Sequence, residues 1–305
     1  MTLLDEIATA TRTAHAAVAP ATVAVGRQAR GSGVVVAPDR VLTSAHNLRD
    51  RTTQVTFADG SHAQGRVLGS DVDHDVVVLE VPTGDVAPVA WAEASVEPGE
   101  VVFALARGTR GDRVTHGVVS GVDRAFRGPR GRRVRGAVEH TAPMARGSSG
   151  GPLVDAAGRL VGLNTHRLGD GFYLALPADA DLRTRVDALL EGRHLEAPRL
   201  GIVVVPSPRA ARMRRQVGLA DVDGLLVGGV VTGSPAAEAG LDEGDLLTAV
   251  DGHPLGGVDD LWDALESAGT AIELTVLRGT EERTVTVTLA APADDAEETA
   301  PDAEG

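Results

Sequence analysis

Between Thr22 and Leu176 the chain is a succession of short β-branched runs closed by turn signals, and this rhythm constrains the fold more than any other feature. The runs are Thr22 to Val25, Gly33 to Ala37, Val41 to Thr43, Gln54 to Phe57, Val76 to Val81, Val101 to Leu105 and Gly117 to Ser120. Ala137 to His140, Pro152 to Val154, Leu160 to Asn164 and Phe172 to Leu176 follow. Pro38-Asp39, Asp59-Gly60, Pro98-Gly99 and Ala157-Gly158 separate several of them, the spacing expected of all-β barrels. Two packed barrels use this many strands. Aromatics are only 2% of the chain, so Val, Leu, Ile and Ala must supply the apolar area that folding buries.

The flanks have a different texture. Leu3, Leu4, Ile7 and Val18 give residues 1–19 a helical pattern. After Pro177, Leu182, Val186, Leu189 and Leu190 recur at helical spacing until Gly192 offers a stop, so the first domain is expected over 20–192. A linker around Pro198 leads into a second module over 198–291, which mixes strands (Ile202 to Val205, Leu225 to Val231, Leu246 to Val250, Ile272 to Leu277, Thr284 to Leu289) with a helix at Val258 to Ser267. Residues 292–305 are acidic, with nothing apolar beyond Ala and Pro, and are expected to be disordered.

Composition excludes several functions. Cysteine is absent, which removes disulfides, thiolate chemistry and Cys-ligated metals, and fits a reducing compartment. A formal charge of −14 argues against nucleic-acid binding, which needs clustered cations. The N-terminus carries Asp5 and Glu6 and no apolar run of signal length, and no later segment is long enough to span a bilayer, so a soluble cytoplasmic protein is expected.

The sharpest chemical signal is Gly147-Ser148-Ser149-Gly150-Gly151-Pro152-Leu153. A nucleophilic serine needs a tight turn whose N–H groups converge on the developing oxyanion, and glycine lets that backbone approach the substrate. The hydroxyl also needs a base and an orienting acid elsewhere in the chain. His46 closes the strand-like run Val41 to His46, and Asp75 is the last polar residue before the apolar run Val76-Val77-Val78-Leu79. Asp71 and Asp73 stand close enough to be the partner instead.

The order His46, Asp75, Ser149 with these flanks resembles the chymotrypsin-fold proteases, specifically the HtrA (DegP-like) family. Thr43 to His46 is similar to the family's T-x-x-H, and Asp75 with its strand to T-D-[IL]-A-[VLI]-L-K-[IV], with His74 for Thr. Gly117-Val118-Val119-Ser120 resembles G-[IV]-V-S, and Gly147 to Leu153 resembles G-N-S-G-G-P-L, with Ser148 for Asn. Leu160 to Thr165 and Leu174 to Pro177 resemble [VI]-x-G-[IL]-N-[TS] and F-A-I-P. Gly233-Ser234-Pro235-Ala236-Ala237, Ala239-Gly240-Leu241 and Gly244-Asp245 are similar to the G-S-P-A-x-x-A-G-L-x-x-G-D signature of HtrA-type PDZ domains. The resemblance covers about nine tenths of the chain. It implies a mainly β protein, a chymotrypsin-like double β-barrel followed by an α/β PDZ domain.

That resemblance implies roles residue by residue. His46 would be general base and then acid, Asp75 would fix its tautomer, Ser149 would form the acyl-enzyme, and the N–H groups of Gly147 and Ser149 would make the oxyanion hole. Activity is expected to fall as His46 takes up a proton. No metal or cofactor is required. Pro143 and Met144 would lie at the base of the specificity pocket and Thr165, His166 and Arg167 along its other wall; without a carboxylate at the base, a small or medium apolar substrate residue is expected. Arg199, Leu200, Gly201 and Ile202 would bind a peptide carboxylate, with Leu261 and Leu265 touching the ligand's side chains or forming plain core.

The implied partners are polypeptide substrates and C-terminal peptides, with a role in quality control or regulated proteolysis. Arg124 to Arg135 would form an arginine-rich loop attracting the acidic tail. No stretch of this sequence reads as the family's export signal, and no aromatic precedes Phe57 where the family's trimers use N-terminal aromatics; an oligomer stays open, without the usual basis for a trimer. Two competing functions are an inactive peptide-binding scaffold or chaperone and an interaction protein working through its acidic tail. Both leave the serine, histidine and aspartate unexplained.

Overall fold

The computed structural model describes residues 2–205, 207–220 and 222–289. It divides into two compact units, 1–195 and 196–305.

The first unit opens with α1 (Leu3–Val18). Thr2 and Asp5 form a capping box, with Thr2 Oγ1 accepting the Asp5 N–H and the Asp5 carboxylate accepting the Thr2 N–H at 2.8 Å. Ala14 and Val18 are its buried side chains. Two closed six-stranded antiparallel barrels follow. The first contains β1 (Thr22–Val25), β2 (Gly31–Ala37), β3 (Arg40–Thr43), β4 (Thr52–Thr56), β5 (His62–Asp71) and β6 (Val76–Glu80), in the order β1-β2-β3-β6-β5-β4. The second contains β7 (Val101–Gly108), β8 (Gly111–Arg127), β9 (Arg133–His140), β10 (Pro152–Val154), β11 (Leu160–Gly169) and β12 (Phe172–Pro177), in the order β10-β11-β12-β9-β8-β7.

With almost no aromatics, the barrels are filled by β-branched and leucine side chains such as Val23, Val34, Leu42, Val78, Leu79, Leu105 and Leu163, all at or below 1% exposure. Each contributes about 1.5–3 kcal/mol by leaving water. The buried Arg107 ties the unit's start to the second barrel, donating Nε to the Thr22 carbonyl at 2.7 Å and Nη2 to the Ala19 carbonyl at 2.8 Å. Helix α2 (Ala180–Leu190) is capped by Asp179, which accepts the Leu182 N–H, and it packs Leu182, Val186 and Leu189 against β5 and β6.

One region departs from the sequence expectation. The stretch Arg124 to Arg135 is a hairpin, with β8 continuing to Arg127 and β9 starting at Arg133. Strand β8 runs seventeen residues, most of them exposed or half-buried, without an apolar alternation. Its backbone is paired by β7 and β9, and that pairing leaves no mark on side-chain pattern.

The second unit is an α/β module with the sheet order β13-β14-β15-β17-β18, built from β13 (Ile202–Val205), β14 (Leu225–Val230), β15 (Leu246–Val250), β17 (Ala271–Arg278) and β18 (Glu281–Thr288), with β16 (His253–Pro254) beside β15. Helices α3 (Ser207–Gln216), α4 (Pro235–Glu238) and α5 (Val258–Ser267) accompany it, α3 being unforeseen because its arginine-rich sequence carries little apolar periodicity. Among the described residues no helix is long and apolar enough to cross a membrane. The acidic residues 292–305 lie outside those described.

Candidate active site

His46 sits in a single 3-10 turn, Ala45–Asn47, immediately after β3. Asp75 ends the turn between β5 and β6, fully buried, with φ of 62°. Aspartate tolerates this left-handed backbone better than most residues. The His46 Nδ1–H donates to both Asp75 oxygens, at 2.9 and 2.8 Å, and the His46 backbone N–H donates to Oδ1 at 3.0 Å. With Nδ1 bonded to the carboxylate, the neutral imidazole keeps its proton there and leaves Nε2 as a base.

Of the three acids of this turn, then, Asp75 is the partner of His46. Asp71 accepts from His74 Nδ1 at 3.0 Å and Arg185 Nη1 at 2.8 Å. Burial pushes its carboxyl up, but the His74 hydrogen bond and the charges of His74 and Arg185 outweigh burial and hold it below the usual carboxylate range. Asp73 faces the guanidinium of Arg132 at 4.0 Å; both are almost wholly buried, and among the described residues neither Asp73 oxygen accepts a hydrogen bond.

The segment that carries Ser149 is held by backbone. Gly147 and Gly150 have φ of 85° and 80°. A Cβ on Gly147 would come within 2.7 Å of the Ala29 carbonyl oxygen and one on Gly150 within 2.3 Å of that of Ser32, so both positions require glycine. The Ser149 carbonyl accepts the Ser32 N–H at 2.8 Å and Asn47 Nδ2 at 2.9 Å, while Gly150 N–H and Gly151 O pair with Asn164. Among the described residues the N–H groups of Gly147 and Ser149 donate to no acceptor, the condition an oxyanion hole needs.

Thr165 joins the two halves. Its Oγ1 donates to Asp75 Oδ2 at 2.8 Å, and its carbonyl accepts the Ser149 hydroxyl at 2.7 Å. Histidine, aspartate and serine are thus brought to one place, with the serine proton directed to Thr165 instead of His46. The sequence reading assigned Thr165 only to a pocket wall and passed over Asn47 and Ser32, because polar residues that support a backbone carry no motif of their own.

His166 lies edge-on to His46, ring centroids 5.7 Å apart; its ring also meets Phe126 at 4.6 Å, and its Nδ1 lies 2.8 Å from Thr165 Oγ1. Burial pushes its imidazole below the ordinary value; the Asp75 charge opposes this and that of His46 adds to it. Pro143 and Met144 line a cavity of about 310 Å³ with Leu105, Arg113, Thr115 and Ser148, but Thr165, His166 and Arg167 do not border it. Arg167 instead reaches Met144 directly, donating Nη2 to its carbonyl.

Behind the Ser149 segment, His140 is fully buried and donates Nε2–H to Asn164 Oδ1 at 3.1 Å. Asn164 Nδ2 donates to the Pro152 carbonyl, so the amide orientation fixes the histidine tautomer and leaves Nδ1 an unpaired lone pair. Burial lowers His140 to about 4, with the Asn164 bond opposing.

In the second unit, Arg199 is exposed, Leu200 is buried and Gly201 has φ of 76°. The N–H groups of Leu200 and Gly201 donate to no acceptor among the described residues, and Ile202 begins edge strand β13. Leu261 and Leu265 are at 6% and 3% exposure within the module's core, the second of the two roles that the sequence left open. They share the face of α5 that the core requires.

Fold and site together define a trypsin-like double-barrel protease architecture, followed in sequence by a PDZ-like α/β module. Residues 31–163 match the trypsin-like peptidase domain and residues 226–278 match the PDZ domain. The chain is 32% identical over 268 residues to the putative serine protease HhoB of Synechocystis, covering 83% of this chain and 64% of the relative. It is 31% identical over 279 residues to HhoA of the same organism, covering 86% and 70%. Among solved structures, the HtrA-type protease AlgW with decapeptide shares the fold, with a TM-score of 0.71 at 23% identity over 93% of this chain and 99% of that one. The chain belongs to the HtrA-type trypsin-like serine proteases with a C-terminal PDZ domain. It spans 64% of HhoB's length.

Proposed function

We propose that this protein is a serine endopeptidase of protein quality control or regulated proteolysis, with His46, Asp75 and Ser149 as its triad. The observation that carries the proposal is the buried Asp75 carboxylate, held at once by His46 Nδ1 and by Thr165, which also holds Ser149. Rotation of the Ser149 side chain from the Thr165 carbonyl toward His46 Nε2 converts the resting arrangement into one ready for attack. His46 takes the hydroxyl proton as Ser149 adds to the scissile carbonyl, the Gly147 and Ser149 N–H groups receive the oxyanion, and His46⁺ returns the proton to the leaving amine.

In the second module, the free N–H groups of Leu200 and Gly201 support capture of a C-terminal carboxylate, with the peptide adding to the open edge of β13, where Val203 is 60% exposed. Fluorophosphonate labelling tests the catalytic reading. Ser149 is expected to be modified in the wild type and to be spared in His46→Ala, and casein turnover is expected to drop on the order of 10⁶-fold in Ser149→Ala. Labelling that is unaffected by His46→Ala, or no labelling of the wild type, refutes it and leaves the peptide-binding scaffold.

A further inference from the structure

We propose that Arg167 makes this protease selective for an acidic residue on the acyl side of the cleaved bond, an inference that rests on the serine-protease reading above. Two chain segments flank Ser149: the turn 143–148 that leads into it, and the end of β11, whose Thr165 carbonyl accepts its hydroxyl. Arg167 crosses from the second to the first. Its Nη2 donates to the Met144 carbonyl, and its guanidinium carbon lies 5.6 Å from the ring centroid of Tyr173, its cross-strand partner on β12. A substrate that presents its carbonyl carbon to Ser149 lays the side chain of that same residue between these segments, because they stand on either side of the hydroxyl.

The charge it meets there is uncompensated. Among the described residues Arg167 forms no ion pair; its partners are a carbonyl oxygen and an aromatic face, both neutral. Pro143 and Met144 bring no carboxylate to the opposite side, and the separate cavity that they line, which Arg167 does not border, has Arg113 as its charged residue. Behind Tyr173 stands His140, ring centroids 5.8 Å apart.

These surroundings rank the substrates. An apolar side chain entering this space displaces the guanidinium from the Met144 carbonyl and offers it nothing in exchange. A carboxylate replaces that neutral acceptor with a charged, bidentate one, a bond about twice as strong. The apolar preference expected from sequence considered only what Pro143 and Met144 lack. The guanidinium placed across the gap reverses it.

The test uses peptides that are identical except at the residue before the scissile bond, where they carry Glu, Asp, Val, Ala or Arg. Values of kcat/KM are measured for the full chain and for Arg167→Ala, Arg167→Lys and Arg167→Glu. Wild type is expected to favour Glu or Asp over Val by about 10- to 100-fold, the range of a hydrogen bond to a charged group. Arg167→Ala should bring that ratio close to one, Arg167→Lys should keep part of it, and Arg167→Glu should turn the preference toward Arg. Fluorophosphonate labelling of each variant reports the nucleophile independently of that side chain, and the Lys and Glu variants keep the test decisive if the Ala variant folds poorly. With Ser149 labelled, a wild type that cleaves after Val or Ala as well as after Glu overturns the proposal, as does an Arg167→Ala variant with an unchanged Glu-to-Val ratio. A wild type that is not labelled removes the protease reading, and this inference with it.

Discussion

The turn that carries Asp75 and the segment that carries Ser149 are built on opposite principles. In the turn that carries Asp75 the neighbouring carboxylates face arginines, Asp71 meeting Arg185 and Asp73 meeting Arg132, while Asp75 itself is held by hydrogen bonds from His46 and Thr165. Around Ser149 the chain is fastened by glycines that admit close backbone contact and by neutral hydrogen bonds with Ser32, Asn47, Asn164 and Thr165. An acid that must hold a fixed direction can sit in a turn whose neighbouring carboxylates are gripped by cations. A serine hydroxyl that is to change partners, as proposed for Ser149, is served by neighbours whose hydrogen bonds are neutral.

The charged side breaks most sharply at Arg132. Arg132→Leu leaves Asp73 buried without its cation and is expected to cost about 3–5 kcal/mol in urea unfolding. Adding Asp73→Val should return at least half of that loss. If the double variant is no more stable than the single one, the attraction between these two charges is not what holds the hairpin of β8 and β9 to the turn.

Acid separates the two sides. His140 titrates at about 4 in the folded chain and near 6.5 unfolded. The unfolded state therefore binds a proton first as pH falls, and stability declines between those values by at most about 3 kcal/mol. Asp71 is lowered in the folded state, so its contribution is intact above the unfolded value of 3.8 and is lost only at more acid pH. Thermal unfolding of His140→Gln from pH 7 to pH 4 should show a flatter decline than wild type. Parallel curves would remove His140 from the account of acid sensitivity.

The smallest expected effect is at the seam. Thr165→Val keeps the carbonyl that holds Ser149 but deletes the hydroxyl that donates to Asp75, and should lower kcat/KM by about tenfold, the worth of one such bond. An unchanged value would mean that His46 alone is enough to orient the carboxylate.

Much of this architecture was legible beforehand because its cause is local. The runs Val41 to Thr43, Pro152 to Val154 and Phe172 to Leu176 are strands in the structure, since β-branched residues bounded by turns have few other stable conformations. Strand β8 was largely missed, since it is held by pairing with β7 and β9 and its own residues carry no alternation. Leu261 and Leu265 show the converse: helical spacing put them on one face, and packing decided that the face was core.

The linear order of residues, by itself, determined which groups are capable of this chemistry: a serine among glycines, a histidine closing a strand, and an aspartate ahead of an apolar run. Which of three neighbouring aspartates meets the imidazole, where the Ser149 proton points, and that Arg167 crosses to Met144 were decided only by the folded chain. Chemical type and local conformation are carried by neighbours in sequence. The direction and partner of a charge depend on groups that folding brings in from dozens of residues away.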